Sequence, residues 1–259
     1  MSRALPRLAA LAIALLIAAC AGEKPKERLV GAEEAISLAQ KAEAEGRYQD
    51  AVDNYLIAKN QGDHRGELGI GMLYATGRGE VQDFSEAEQW LQPAAKAGLP
   101  EAQYQLGLIA DSGGTGIVQD RRAALDYFAK AAASGHVAAA YHLGLAYHYG
   151  RGTRVDEKEA LRWYSVAADK GNTDALTGLG LLYAQGRGVP ENLARARQYF
   201  DRAAAAGNAE AMRQIANMYL EGNGVKQDDA QGYAWLKRAA DAGSEQAARR
   251  MATQIRDDN

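Results

Sequence analysis

Residues 143–171 read LGLAYHYGRGTRVDEKEALRWYSVAADKG, and residues 179–207 read LGLLYAQGRGVPENLARARQYFDRAAAAG, so one phrase occurs twice, 36 residues apart. Each phrase closes on Ala-Ala-x-x-Gly. The closing glycines recur at separations of 37, 36, 36 and 36: Gly98, Gly135, Gly171, Gly207 and Gly243. Self-similarity at a period of about 20 to 50 residues is typical of stacked repeats. We therefore expect function to lie in a presented surface rather than in one catalytic pocket.

Each copy predicts a helix, a turn and a second helix. In the third copy Ala139, Leu143, Gly144 and Tyr147 share one helical face because they are spaced i, i+4, i+5 and i+8. Gly-Arg-Gly then predicts a turn. An acid or amide that can cap a second helix follows in every copy. These residues are Asp83, Asp120, Asp156, Asn192 and Asp228.

The second helix of each copy carries a capping signal, an aromatic slot and a terminating glycine. Three residues after the cap, Glu86, Glu159 and Gln231 predict a capping box in three copies. The closing glycine suits the left-handed end of a helix. Because the aromatic slot is repeated so strictly, we expect it to fill the core between units, and not to stack on sugars. The slot holds Trp90, Tyr127, Trp163, Tyr199 and Trp235.

Three departures from the pattern and one insertion stand out. Ala110 replaces the tyrosine of the first helix, Ala216 replaces its glycine, and Gly232 replaces the alanine found at Ala160. We expect each to loosen a local contact only. The extra residue of one copy falls in the glycine-rich stretch around Gly114, where a loop insertion costs little.

The two quoted phrases resemble Sel1-like repeats, which would occupy residues 65–243 in five copies. Upstream, EEAISLAQKAEAEGRYQDAVDNYLIAKNQG resembles a related tetratricopeptide-type helix pair, assigned to residues 32–64. The resemblance implies an all-α, right-handed solenoid of stacked antiparallel helix pairs. A C-terminal capping helix and tail would take up residues 244–259.

Residues 1–19 are predicted to be a signal peptide. Arg3 and Arg7 precede twelve apolar residues, Leu8–Ala19, fewer than the ~20 that span a bilayer. Cys20 is the only cysteine, so no intramolecular disulfide can form. It could be an ordinary cysteine beyond a cleavage site. However, the four residues ending at Cys20 resemble the lipobox of bacterial lipoproteins, which implies lipidation.

The resemblance implies that residues 20–31 are a lipidated cysteine followed by a charged tether. By the same resemblance, Ala21 in place of aspartate implies an outer-membrane protein that faces the periplasm. Loss of residues 1–19 takes the formal net charge from −3 to −5, because Arg3 and Arg7 leave with them and no acid does. Nothing so weakly acidic suggests a nucleic-acid partner.

No cofactor, metal or catalytic residue is predicted. The Gly-x-Gly turns lack the Lys and Ser/Thr of a phosphate loop. His142 and His148 lie about 240° apart around a helix at ~100° per residue, so with His136 they do not predict a metal site.

A partner groove is predicted on the first helices. Two residues before the buried leucine slot come Tyr104, Tyr141, Thr177 and Arg213, and His148 lies one heptad after Tyr141. We predict that partners bind through Tyr104, Tyr141, His148 and Arg213.

The predicted function is a non-enzymatic scaffold that binds envelope proteins. The resemblance to Sel1-like lipoproteins implies support of an exopolysaccharide export complex or of another envelope machine. Two alternatives stay open. One is a periplasmic module that binds glycan or peptidoglycan through the inner curve. The other is an enzyme acting on β-lactams, although proteins of that kind carry cysteine pairs in each repeat and this chain has none after Cys20.

Overall fold

The computed structural model describes residues 30–79, 81–114 and 116–257, the last four by their backbone alone. The predicted signal peptide and Cys20 lie outside these residues. The described chain is a succession of thirteen helices with no extended strand between them. They are α1 (Ala32–Ala44), α2 (Tyr48–Asn60), α3 (Arg65–Thr76), α4 (Phe84–Lys96), α5 (Pro100–Ser112), α6 (Arg121–Ala133), α7 (Val137–Tyr149), α8 (Glu157–Asp169), α9 (Thr173–Gln185), α10 (Leu193–Ala205), α11 (Ala209–Glu221), α12 (Asp229–Asp241) and α13 (Glu245–Asp257).

The helices form a solenoid in which each contacts the next along the chain. The odd-numbered helices are the first helices of the pairs, and the even-numbered helices up to α12 are the second helices. First helices of neighbouring repeats also contact each other, α3 with α5 and α7 with α9, whereas no two second helices of the described chain contact to the same extent. The first helices therefore line the inner face of the stack, and the all-α solenoid prediction is confirmed.

The predicted caps form in all five repeats. Asp156 Oδ1 accepts hydrogen bonds from the backbone N–H groups of Lys158 and Glu159 at 3.1 and 3.0 Å. Asp83, Asp120, Asn192 and Asp228 accept equivalent bonds at the starts of their helices. Each cap satisfies amides that have no partner within the helix.

The predicted capping box also required the side chain three residues after the cap to accept from the backbone N–H of the cap residue, and this part of the prediction is wrong. The Asp156 N–H donates to the carbonyl of Tyr147 at 2.9 Å, so it is not available to Glu159. The same bond joins first and second helices in every repeat, including the 2.8 Å bond from the Asp120 N–H to the Ala110 carbonyl. Because the acceptor is backbone, alanine at position 110 keeps the bond that tyrosine makes elsewhere.

The two glycines of each turn have different structural roles. Gly150 ends α7 in the left-handed conformation, with φ of +68°. Gly152 also has positive φ, +72°, and a Cβ built there would lie 2.1 Å from the carbonyl oxygen of Arg121. Gly152 thus lets the turn of one repeat touch the start of the preceding second helix.

The expectation that the repeated Trp/Tyr slot fills the core is wrong by one helical position. Trp163 and its four counterparts are half-buried, and Arg162 lies over the Trp163 ring at 4.8 Å. The fully buried side chain is the next residue, at Leu91, Phe128, Tyr164, Phe200 and Leu236. It packs against the glycine of the first helix, since a Cβ at Gly144 would lie 2.3 Å from the Tyr164 ring.

In the fifth repeat, the two positions that depart from the repeat pattern remain closely packed. Ala216, which replaces the packing glycine, is fully buried opposite Leu236, a smaller side chain than the Phe or Tyr of the three preceding repeats. Gly232 leaves room for Leu220, because a Cβ there would lie 2.5 Å from Leu220 Cδ2. Each departure is matched by a change in the side chain it faces.

Candidate partner-binding groove

The inner face opens into a pocket of about 260 Å³ between α7, α8 and α9, which we call the central pocket. Its aromatic lining comes from Tyr141, Tyr149 and Tyr164, and its polar rim from Asp174, Thr177 and Glu210. Tyr164 is 1% exposed at the floor, whereas Tyr149 is 56% exposed at the edge. The pocket thus offers aromatic surface and carboxylates together, within reach of a partner.

The pocket exists because one helix contributes a large side chain and the facing position is a glycine, which has none. Tyr164 fills the buried slot of α8, and Gly178 on α9 faces its ring, where a Cβ would lie only 3.0 Å from Cε2. In the second, third and fifth repeats the position of Gly178 carries Gln105, His142 and Gln214. A glycine at this position therefore leaves open a space that a side chain occupies in its neighbours.

A hydrogen-bonded chain fixes the floor of the pocket. Arg187 Nη1 lies 2.8 Å from Nε2 of His148, and Nδ1 of His148 lies 3.2 Å from the Tyr164 hydroxyl. Because a guanidinium can only donate, Nε2 must accept and the proton of a neutral ring must be on Nδ1. The Tyr164 oxygen then accepts from His148, and the hydroxyl proton is left to donate elsewhere. Among the described residues that hydroxyl has no other hydrogen-bond partner.

Burial holds His148 in its neutral form. His148 is 4% exposed. Burial, together with the charge of Arg187, lowers the pKa of its imidazole, while Glu157 opposes the shift. Arg187 in turn donates from Nε to Glu157 at 2.5 Å. Burial also raises the pKa of Tyr141, to about 12, with Asp174 adding to the shift. Both tyrosine and histidine are therefore uncharged near neutral pH.

The carboxylates of the rim belong to the first turns of α9 and α11. Asp174 accepts a 2.7 Å hydrogen bond from the side-chain amide of Asn208, the residue that caps α11. Glu210 accepts from Nε and Nη2 of Arg213 at 2.9 and 2.5 Å. Asp174 therefore faces a neutral partner, whereas the charge of Glu210 is partly offset.

The structure brings together some of the predicted groove residues and separates others. Tyr141 and His148 line the central pocket, and Arg213 touches its rim through Glu210. His148 is buried, so it supports the floor, contrary to our expectation of a residue that partners contact. Tyr104 lies one repeat earlier, stacked on His136 with ring centroids 4.4 Å apart.

Tyr149, Tyr164, Asp174 and Glu210 are pocket residues that the sequence reasoning missed. A signal for Tyr164 was present in the sequence, because it is the one tyrosine in a slot filled by Leu or Phe in the other four repeats. Asp174 and Glu210 lie in the first turns of their helices, where acids suit the helix dipole in any case, so the sequence alone gives no sign of a site there.

No group of three or more His, Cys, Asp or Glu side chains in the described ranges is arranged to hold a metal ion. None of the described helices is long and apolar enough to cross a membrane.

Fold and site together define a class: an α-solenoid repeat protein with an open, aromatic and acidic inner groove. Five consecutive segments match the model of the Sel1 repeat, at residues 65–99, 100–136, 137–172, 173–208 and 209–244. These segments cover more than half of the chain, so it belongs to the Sel1 repeat family. Proteins of this family typically mediate protein–protein interactions and are generally not enzymes.

Two solved structures are similar in sequence as well as fold. A Sel1 repeat protein from Oxalobacter formigenes is 32% identical, with a TM-score of 0.76 over 82% of this chain and 87% of that chain. A protective antigen of uropathogenic Escherichia coli strains, which displays an SLR fold, is 32% identical with a TM-score of 0.75. The alignment covers 83% of this chain but only 47% of the antigen. A comparison with curated protein sequences finds no match.

Proposed function

We propose that this chain is a non-enzymatic scaffold lipoprotein of the bacterial envelope, which holds a partner protein in the groove of its inner face. The observation that carries the proposal is the central pocket. It places an exposed tyrosine, a buried tyrosine hydroxyl and two carboxylates on one open surface. Rigid aromatic rings with polar tips are the residues that protein interfaces favour.

The envelope location in this proposal is supported by the sequence alone. The lipobox-like segment ending at Cys20 would anchor the chain through its lipids, and two or more acyl chains hold a protein stably on a membrane. Residues 20–31 span at most about 40 Å when extended, so the solenoid would stay close to that membrane. An outer-membrane protein facing the periplasm could support assembly of an exopolysaccharide export complex or of another envelope machine.

The test uses the full chain in cells that make it. A photo-crosslinking residue replaces Tyr149 at the pocket edge or, as a matched control, Lys237 on a second helix, where the side chain is 66% exposed. We expect one defined protein to be crosslinked from position 149 and not from position 237. Crosslinking from position 237 alone, or from neither position, would contradict a scaffold that acts through its inner face.

The same experiment separates the alternatives. If the product crosslinked at position 149 carries glycan and no protein, the chain is a glycan-binding module. In parallel, Cys20→Ser should move the chain from the membrane fraction to the soluble fraction. A Cys20→Ser chain that remains bound to membranes would remove the lipid anchor from the proposal.

A further inference from the structure

The inner face carries a second pocket of about 350 Å³ between α1, α2 and α3, which we call the N-terminal pocket. Its floor is built like that of the central pocket. Tyr55 occupies the slot of Tyr164, and Gly69 occupies the slot of Gly178, three repeats earlier in the chain. A Cβ at Gly69 would lie 2.3 Å from the Tyr55 ring, so this glycine too makes way for a tyrosine.

The walls of the two pockets correspond as well. Ile36 and Met72 line the N-terminal pocket where Leu145 and Leu181 line the central pocket. Each pocket is completed by a glutamate from the repeat after next, Glu101 in one and Glu210 in the other. These two carboxylates are 44% and 43% exposed.

In both pockets the tyrosine hydroxyl at the floor is hydrogen-bonded. The Tyr55 hydroxyl donates to Glu43, as the Tyr164 hydroxyl bonds to His148. In the repeats whose buried slot holds Leu91, Phe128 or Phe200, the position of Gly178 is held by Gln105, His142 or Gln214, and after Leu236 it is held by Arg250. Tyrosine in the buried slot and glycine facing it therefore occur together in these two pockets and not in the repeats between them.

The shared chemistry suits one type of side chain. An apolar wall with a carboxylate at the mouth matches a long basic side chain, whose stem packs on the wall while its charged end stays near the acid. Arg65 lines the N-terminal pocket at the position that Asp174 holds in the central pocket, and its charge is engaged by Glu33 and Asp63. Arg213, beside the central pocket, is engaged by Glu210. Asp174 in the central pocket accepts from the uncharged amide of Asn208. Glu101 in the N-terminal pocket accepts from the amide of Gln105 and pairs with Nε2 of His136 at 3.0 Å.

We infer that the N-terminal and central pockets are two equivalent receptors for Lys or Arg side chains of a single partner protein, held three repeats apart on the inner face. This inference rests on the proposed scaffold function and names the chemistry of its partner. Two linked contacts multiply in strength because the second is intramolecular, so loss of either pocket weakens the whole.

Variants that close one pocket at a time can copy packing that the chain already contains. Tyr164→Phe with Gly178→Gln reproduces the Phe200–Gln214 pair in the central pocket. Tyr55→Leu with Gly69→Gln reproduces the Leu91–Gln105 pair in the N-terminal pocket. The matched control is Asp201→Asn, which removes one negative charge from a second helix. Circular dichroism and thermal unfolding establish that each variant is folded.

The first measurement is the NMR amide shift of Met72 and Leu181, which line the N-terminal and central pockets, during titration with N-acetyl-lysine methylamide. We expect both signals to move, and each closed variant to lose the response of its own pocket only. N-acetyl-norleucine methylamide, which lacks the charge, should leave both signals in place. Equal shifts with the norleucine compound, shifts with chitobiose alone, or no shift with the lysine compound would overturn the inference.

The second measurement is the affinity of a Gly-Lys repeat peptide long enough to reach both pockets. Closing either pocket should lower that affinity by about tenfold or more, whereas Asp201→Asn should leave it within a factor of about two. Unchanged binding in both closed variants would overturn the inference. If these measurements fail while position 149 still crosslinks a protein, the scaffold function stands and only the basic-partner chemistry falls.

Discussion

At the scale of single residues, the central pocket depends on one histidine that is held neutral. His148 accepts from Arg187 and donates to Tyr164, so a second proton on the ring would place a positive charge against the guanidinium. His142 is the other histidine whose pKa is lowered by burial. Both rings favour the folded state only while they are unprotonated.

This arrangement predicts a loss of stability in weak acid. A histidine whose pKa is lower in the folded chain than its ordinary value of about 6.5 binds its proton more readily when unfolded. Stability should therefore be greatest above that pH and should fall between pH 7 and pH 5, by at most about 1.4 kcal/mol per pH unit for each histidine. Urea unfolding of the full chain across this range measures the slope.

The double variant His142→Gln/His148→Gln should flatten this slope, and each single variant should remove part of it. The two acids paired with Arg65 contribute little to the difference in slope between wild type and variant. Arg65 lowers the pKa values of Glu33 and Asp63, so their stabilising contribution is present above their ordinary pKa values of about 4 and is lost as the pH falls from there through the lowered values, mainly under the pH window used. An equal slope in wild type and double variant would show that other groups carry the acid sensitivity.

At the scale of elements, the fifth repeat keeps its packing through paired substitutions. Leu220 on α11 occupies the space that the missing Cβ of Gly232 leaves on α12. In the first and fourth repeats the same two slots hold alanine pairs, Ala75 with Ala87 and Ala184 with Ala196. A small side chain in one helix thus permits a larger one in the next.

We expect Gly232→Ala alone to destabilise the chain, because overpacking against Leu220 costs about 1–3 kcal/mol and outweighs the better helix propensity of alanine. Combining it with Leu220→Ala recreates the alanine pair of the fourth repeat. The double variant should therefore be more stable than the sum of the single changes, by about 1–2 kcal/mol of coupling in a double-mutant cycle. Additive effects would mean that the two side chains do not compete for space.

The sequence predicted the elements well because caps, turns and closing glycines act locally. Asp156 and Gly150 could be assigned to their roles from their neighbours in the chain alone. Burial was harder to predict, since Trp163 and Tyr164 are adjacent large rings and only the approach of Gly144 from another helix decides which is enclosed. The central pocket was missed for the same reason. It depends on Tyr164, Gly178 and Glu210, which come from three different repeats.

At the scale of the whole molecule, the core is continuous in the middle and divided at the ends. Buried side chains from α6 to α11 form one cluster, whereas α1–α3 and α12–α13 belong to separate smaller clusters. In a solenoid each repeat is stabilised mainly by its immediate neighbours. The central pocket is built on the continuous part, so its geometry should survive loosening at either end.

The C-terminal helix allows this to be tested. Ala247 of α13 is fully buried and shares a cluster with Leu236 and Ala239 of α12, with Met251 packed alongside. A chain that stops after Gly243 should lose amide-exchange protection in α11 and α12, because their outer side then meets water, while α7 to α9 keep theirs. A chain that stops after residue 253 retains Ala247 and Met251 and serves as the control, with protection expected throughout. If the shorter chain loses protection evenly from α1 to α12, the repeats unfold as one unit, and a partner bound at either pocket would then stabilise the entire stack.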